Sequence, residues 1–147
     1  MIDQNVYCFE PILKDTDHLP AKIETPCEAI NALNLKRIIA KSLDSNSGYG
    51  LDMETAVSIA DLYRAFLYLC KKYPDDVIVP TKEVDDFWHL HILDTRNYIQ
   101  DCEKIFGKYL HHFPYSGLDG TKIDQDMEQF FISHTFMLMS RHFPELV

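Results

Sequence analysis

Basic side chains are scarce in this chain. Its 147 residues include 14 Lys and Arg against 23 Asp and Glu, for a formal net charge of −9. Binding to nucleic acid and to anionic membrane surfaces depends mostly on Lys and Arg placed near phosphates. We therefore expect neither nucleic acid nor a membrane as a partner. The acidity favours solubility over any particular ligand, and it leaves the protein partner and the oligomeric state open.

Cysteine motifs and long apolar runs are also missing. The four cysteines, Cys8, Cys27, Cys70 and Cys102, form no Cys-x-x-Cys pair that would indicate a metal or redox motif. No apolar stretch approaches the about 20 residues that span a bilayer. The first residues lack the basic segment and apolar run of a cleaved signal peptide. These absences predict a reduced, cytoplasmic protein.

Glycine is rare, and helical spacing dominates what remains. Only five glycines occur, and Gly48-Tyr49-Gly50 is too little for a phosphate-binding loop. Apolar residues recur every three or four positions through most of the chain, which is typical of amphipathic helices. The sequence predicts an all-α fold, a compact single-domain bundle of about five helices. Residues 1–24 form an irregular N-terminal arm, and residues 25–147 form the helical domain.

Capping residues and breakers predict where the helices begin and end. Thr25 followed by Pro26 and Glu28 has the pattern of a capping box, and that helix is expected to end near Leu43. The next two helices are predicted to begin at Asp52 and at Thr81. Asp94-Thr95 is either a break or a new cap, and Gly107 marks either the end of the helical stripe that follows or a kink in it. The final helix is predicted over about 122–141. One side of this helix is apolar and carries Ile123, Met127, Phe130, Phe131, His134, Met137 and Leu138.

The candidate site lies between Pro80 and Tyr115. This stretch contains the only tryptophan, Trp88, and the only His-x-His pair, His89 and His91; a second pair, His111 and His112, follows 20 residues later. Neutral imidazole is the commonest protein ligand for zinc, iron and copper. We expect a metal site with His91 and one or both of His111 and His112 as ligands, and His89 either as a further ligand or as a group that orients one of them. Zinc is the first choice, with iron or copper behind it.

Carboxylates beside these histidines suggest what the metal site does. Asp85, Asp86 or Asp94 could complete the coordination sphere, or orient a ligand by accepting its other N–H. Whether the metal is catalytic or structural is open; in metal-dependent hydrolytic or oxygen chemistry, Asp85 or Asp86 could accept a proton. Trp88 and Tyr115 could line an adjoining apolar pocket, although core packing explains aromatic residues as well. The alternative function is a non-catalytic protein-interaction module, in which the tryptophan and the histidines form a structural polar-aromatic core.

Helix geometry complicates the His-x-His pair. Two residues apart on a helix, side chains point roughly 200° apart, so His89 and His91 do not readily hold one ion. His91 shares a face with Val84 and Trp88, whereas His89 shares the other face with Asp85. Either the helix loosens after Leu90 or the two imidazoles have different functions.

These same residues resemble the glycine-rich-domain-containing-protein-like family, in particular its short bacterial single-domain members. The resemblance covers about residues 28–141 and is densest over 78–117. The matching motifs are Val79-Pro80-Thr81, Val84-Asp85, Trp88-His89-x-His91, Leu93-Asp94, Tyr98, Gly107 and His111-His112-Phe113-Pro114-Tyr115. The resemblance implies that Trp88, His89, His91 and His112 are important, but it implies no particular activity. The glycine-rich tail that names the family is missing, so no function of that tail applies here.

Overall fold

The computed structural model describes residues 23–115 and 118–147, and most of these residues are helical. No strand occurs among them, which confirms the predicted all-α fold. The predicted arm lies outside the described residues except for residues 23 and 24, so the division at residue 24 stays a prediction. The described residues form six α-helices, α1 (Glu28–Asn31), α2 (Lys36–Leu43), α3 (Met53–Lys72), α4 (Lys82–Leu93), α5 (Thr95–Phe106) and α6 (Lys122–His142), and a 3-10 turn follows at Pro144–Leu146.

Helix α3 is the central element of the fold. It packs against α1, α2, α4 and α6, and most of its residues between Ala56 and Leu69 are buried. Its start is the predicted one, since the Asp52 carboxylate accepts a hydrogen bond of 2.8 Å from the Thr55 amide. It ends before Pro74, which cannot continue a helix. A helix with so broad an apolar surface can bury neighbours on several sides.

The first predicted helix, from Thr25 to Leu43, is in fact two helices. Thr25 does not act as a cap; its hydroxyl donates to the Asn31 side chain at 2.9 Å, and Asn31 donates back to the Thr25 carbonyl at 2.8 Å. These two hydrogen bonds close the single turn of α1. Cys27 is its N-cap, and no side chain forms a capping hydrogen bond there. The helix then ends, and Arg64 of α3 donates to the Leu33 carbonyl at 3.1 Å. The predicted capping box was therefore wrong.

Helices α4 and α5 carry the candidate residues, and their boundaries follow the predicted signals. The Thr81 hydroxyl accepts from the Val84 amide at 3.4 Å, so Thr81 is the N-cap of α4. The helical path breaks at Asp94, and α5 ends at Gly107, whose φ of 68° lies in the left-handed region. Glycine adopts this conformation at little cost, which explains why the chain turns there.

The apolar side of α6 is mostly exposed among the described residues. Only Thr135 and Leu138 of this helix are buried, whereas Ile123, Met127, Phe130 and Met137 are exposed. The helix is anchored where the Thr135 hydroxyl accepts from the Val79 amide at 2.9 Å. Periodicity had indicated which residues share a face, but it could not indicate what lies against that face.

None of the described helices combines the length and the apolar content that crossing a bilayer requires.

Candidate metal centre

Three side chains converge on one face of α4. Asp85 and His89 lie one helical turn apart, which places their side chains next to each other. His112 approaches them from the segment that follows Gly107. Its Nε2 atom lies 2.6 Å from Asp85 Oδ1, while His89 Nε2 lies 3.2 Å from Asp85 Oδ2. The two imidazole Nε2 atoms are 3.0 Å apart. The described residues thus form a cluster in which three potential ligand atoms are mutual neighbours.

The position of His112 is set by the aromatic core beneath it. The indole ring of Trp88 packs against the His112 ring with centroids 4.5 Å apart. The indole N–H donates to the Tyr98 hydroxyl at 2.9 Å, and that hydroxyl donates to the Leu110 carbonyl at 2.5 Å. Burial raises the pKa of Tyr98 well above its usual value, so the hydroxyl keeps the proton that it donates. This chain of contacts ties the segment carrying His112 to α4 and α5.

The spacing within the cluster suits a small divalent cation. Zinc–ligand bonds of 2.0–2.1 Å in tetrahedral geometry place neighbouring ligand atoms about 3.3 Å apart. The observed separations of 2.6, 3.0 and 3.2 Å need only a slight opening to reach that value. Without a cation, His112 Nε2 lies within hydrogen-bond distance of both Asp85 Oδ1 and His89 Nε2, and the single proton of a neutral imidazole nitrogen serves only one of them well. A metal ion would instead bind the lone pairs of both nitrogens and of the carboxylate at once.

All three side chains are partly exposed, so solvent reaches the cluster. A set of two imidazoles and one carboxylate leaves coordination positions for water or another ligand. Among the described residues no other three His, Cys, Asp or Glu side chains bring their ligand atoms as close together.

His91 lies on the opposite side of α4, away from this cluster. It is only 1% exposed. Its Nε2 atom lies 2.8 Å from Asp101 Oδ2, and its Nδ1 atom lies 2.6 Å from the Tyr63 hydroxyl. The carboxylate can only accept, so Nε2 carries a proton, and Nδ1 of the neutral ring accepts from Tyr63. Both nitrogens are therefore engaged in hydrogen bonds.

Burial determines the charge state of this second histidine. Desolvation lowers the pKa of His91 more than the neighbouring Asp101 carboxylate raises it. Burial also raises the pKa of Tyr63 well above its usual range, which keeps the phenol protonated as a donor. His91 consequently acts as a neutral bridge between α3 and α5. The sequence had indicated no such bridge, because Tyr63 fits the apolar stripe of its helix and Asp101 reads as a surface charge.

The other predicted site residues lie elsewhere. Asp86 faces away from the cluster and pairs with Lys82 at 2.7 Å. His111 is exposed, with its ring 4.7 Å from the Tyr109 ring. Tyr115 is exposed and packs on Phe113 at a centroid distance of 5.5 Å, whereas Trp88 belongs to the buried core. The structure thus brings together Asp85, His89 and His112 from the predicted set.

Comparison with known proteins extends the sequence evidence. A family model described as UCP032817-like matches residues 26–137. Glycine-rich domain-containing protein 2 of Arabidopsis thaliana is 43% identical over 54 residues, covering 34% of this chain and 7% of that protein. Glycine-rich domain-containing protein 1 of the same plant is 41% identical over 54 residues, with the same coverage of 34% and 7%.

These relatives are much longer than the region they share with this chain, which spans only about 7% of their length. No solved structure matches the chain. The similarity to glycine-rich domain-containing proteins agrees with the resemblance carried by the Trp-His-x-His motif, while the likeness to short bacterial members stays an expectation. Since the family model covers well over half of its residues, the chain belongs to the UCP032817-like family.

Proposed function

We propose that this protein binds a divalent metal ion through Asp85, His89 and His112, with zinc as the preferred metal and iron or copper behind it. The observation that supports the proposal is the approach of two imidazole Nε2 atoms to 3.0 Å beside one carboxylate. Two neutral nitrogen ligands and one oxygen ligand suit zinc, and the same set suits iron(II) in oxygen chemistry. His91 and His111 are not part of this proposed ligand set.

The chemistry that such an ion supplies is the activation of a bound water or of oxygen. In this proposal Asp85 is a ligand rather than a free proton acceptor. Asp86 is also a poor acceptor for the site, because its carboxylate is held by Lys82 on another side of α4. The proposal therefore covers metal binding first, with hydrolytic or oxygen chemistry as the activity that the open coordination positions suit.

The only tryptophan provides a direct test. Because the Trp88 ring lies 4.5 Å from His112, metal binding should change its fluorescence during a zinc titration of tag-free protein. Metal content should approach one ion per chain. Loss of even an outer-sphere partner typically costs 10–100-fold in affinity, so His89→Ala or His112→Ala should weaken zinc binding at least about 100-fold.

The neighbouring histidine offers a matched control. His111→Ala removes an exposed imidazole next to His112 in sequence and should leave the titration unchanged. If the parent protein contains well under about 0.1 metal per chain and none of the three variants alters the titration, the metal proposal is wrong.

A second candidate function is a non-catalytic interaction module with a structural polar-aromatic core. The buried contacts of Trp88 with Tyr98 and of His91 with Tyr63 support it. It predicts that a chelator does not change the melting temperature. The metal proposal predicts the opposite, because an ion that binds only the folded state stabilises it.

We also propose a reducing, cytoplasmic location and no nucleic-acid partner. Cys27, Cys70 and Cys102 are unpaired thiols in the described part of the chain. Burial raises the pKa of Cys70 to about 12, which is typical of an inert packing thiol. The net charge of −9 supports the absence of nucleic-acid binding.

A further inference from the structure

The outward face of α6 carries an unusual apolar stripe. Ile123, Met127, Phe130 and Met137 are 77%, 49%, 64% and 45% exposed. Together with His134 they follow one another at intervals of four, three, four and three residues. This is the 3.5-residue spacing of a helix that packs along a second helix. Single exposed apolar residues are ordinary, but a continuous stripe of this length marks an interaction surface.

Most of this stripe lies beside the face that joins α6 to the rest of the bundle. Thr135 and Leu138 are the buried residues of that face. His134, within the stripe, also contacts the bundle through Asp76, at 2.8 Å. Phe136 is also exposed, at 62%, but it lies about 120° around the helix from Phe130 and borders a groove formed with α3. Among the described residues, the apolar members of the stripe are therefore left exposed on their own flank of the helix.

The distribution of charge along α6 indicates the partner. The first two turns contain three acidic residues, Asp124, Asp126 and Glu128, and one Lys. The last two turns contain Arg141 and His142 and no acidic residue. Two copies of this helix side by side would repel in a parallel pair, since their acidic ends would meet. In an antiparallel pair the acidic end of each helix meets the basic end of the other, and the two antiparallel helix dipoles attract each other.

The spacing of the stripe fits the same arrangement. In an antiparallel pair Ile123 of one copy would lie opposite Arg141 of the other, Met127 opposite Met137, and Phe130 opposite His134. All three pairs have their midpoint at position 132, so one two-fold axis generates them together. The Arg141 side chain would then reach the acidic first turn of the other copy, where its aliphatic stem can cover Ile123.

We propose that the chain forms a two-fold symmetric dimer through antiparallel packing of α6, along the stripe Ile123, Met127, Phe130, His134 and Met137. The partner is a second copy of this chain, and the interface does not involve the proposed metal centre. His134 is already held by Asp76 at 2.8 Å, so its ring is fixed for packing against Phe130 of the other copy.

Sedimentation velocity of the full chain tests the dimer. A concentration-dependent dimer should appear at micromolar protein. Phe130→Glu should raise the dimer dissociation constant at least about 100-fold, because each dimer loses two buried rings and gains two unpaired charges. The matched control is Phe136→Glu, which changes a ring of nearly equal exposure on the other flank of the same helix and should leave the dimer intact.

Two results would overturn this proposal. A chain that stays monomeric at about 100 µM does not pair through α6, and the stripe then faces another protein or residues 1–22 of its own chain. A dimer that persists in Phe130→Glu and dissociates in Phe136→Glu uses the groove flank instead.

The orientation has its own test. Met127→Cys protein mixed with Met137→Cys protein should form a 127–137 disulfide under mild oxidation, identified by mass spectrometry of the linked peptides. A 127–127 disulfide in its place would show a parallel pair and refute the antiparallel arrangement.

Discussion

Replacing Tyr63 and His91 with phenylalanine, singly and together, tests the buried hydrogen bond between Tyr63 of α3 and His91 of α4. The Tyr63 ring is fully buried, and its hydroxyl lies 2.6 Å from His91 Nδ1. His91→Phe keeps a ring of similar size but removes both ring nitrogens. Tyr63→Phe removes only the hydroxyl. Each single change therefore leaves one buried polar atom without its partner.

The expected magnitudes follow from burial. A buried group left without its hydrogen bond costs about 1–3 kcal/mol of unfolding free energy. In His91→Phe this penalty falls on the Tyr63 hydroxyl. The second partner, Asp101, loses less, because its side chain is 21% exposed and borders a polar cavity of about 260 Å³ from which water can replace the imidazole. Tyr63→Phe should cost a similar amount through the unpaired Nδ1 atom of His91.

The double variant should not cost the sum of the two. Once both partners are apolar, neither is left unsatisfied, so the two changes should couple by about 1–2 kcal/mol. Urea unfolding followed by circular dichroism at 222 nm measures all four proteins of the cycle. His111→Phe, at an exposed histidine, is the control and should stay within about 0.5 kcal/mol of the parent. If the losses of unfolding free energy in the two single variants simply add up in the double variant, the Tyr63–His91 hydrogen bond does not stabilise the fold as argued.

Two further predictions concern pH and the loop before α3. Because burial lowers the pKa of His91 below its ordinary 6.5, the unfolded chain takes up this proton at a higher pH than the folded chain does. The stability that this residue contributes is complete above about pH 6.5 and is lost as the pH falls below it. Between about pH 7.5 and 5, the free energy of unfolding in urea should therefore fall less steeply for His91→Phe than for the parent. Gly48→Ala should lower the melting temperature, because an added Cβ would collide with the backbone carbonyl of Lys41. Gly120→Ala, where a Cβ meets no atom within 4 Å and only φ is unfavourable, should lower it less.

Helix boundaries were predictable because their causes are local. Asp52 and Thr81 cap the helices that follow them, and Gly107 ends α5, each through contacts within a few residues. Thr25 has the same local pattern, yet it bonds to Asn31 instead and closes a single turn. A side chain that can cap can equally bond elsewhere, and the choice depends on how the chain continues beyond the motif.

The environment of α6 was not predictable because it depends on distant segments. The stripe of Ile123, Met127 and Phe130 is real, but the described part of the bundle does not cover it. The burial of Thr135 depends on its contact with Val79, which is 56 residues earlier in the chain. Apolar periodicity is the same whether a helix faces its own core or a second subunit, so sequence alone does not distinguish the two.

The His-x-His pair has one feature with a local cause and one that depends on a distant segment. The 100° turn per residue separates His89 from His91, and regular helix persists through both positions, so their separation follows from sequence and geometry alone. Which of them meets His112 depends on the tie from Trp88 through Tyr98 to Leu110, which turns the returning segment towards His89. The imidazole of His89 is partly exposed beside a carboxylate, so it can bind a metal ion in place of a proton. The imidazole of His91 has both nitrogens in hydrogen bonds, so it could bind a metal only by losing a buried hydrogen bond. Loss of His89 should therefore remove metal binding, and with it the stabilisation that the ion supplies, but leave the metal-free protein about as stable as the parent. Loss of His91 should lower the stability of the metal-free protein and leave metal binding in place.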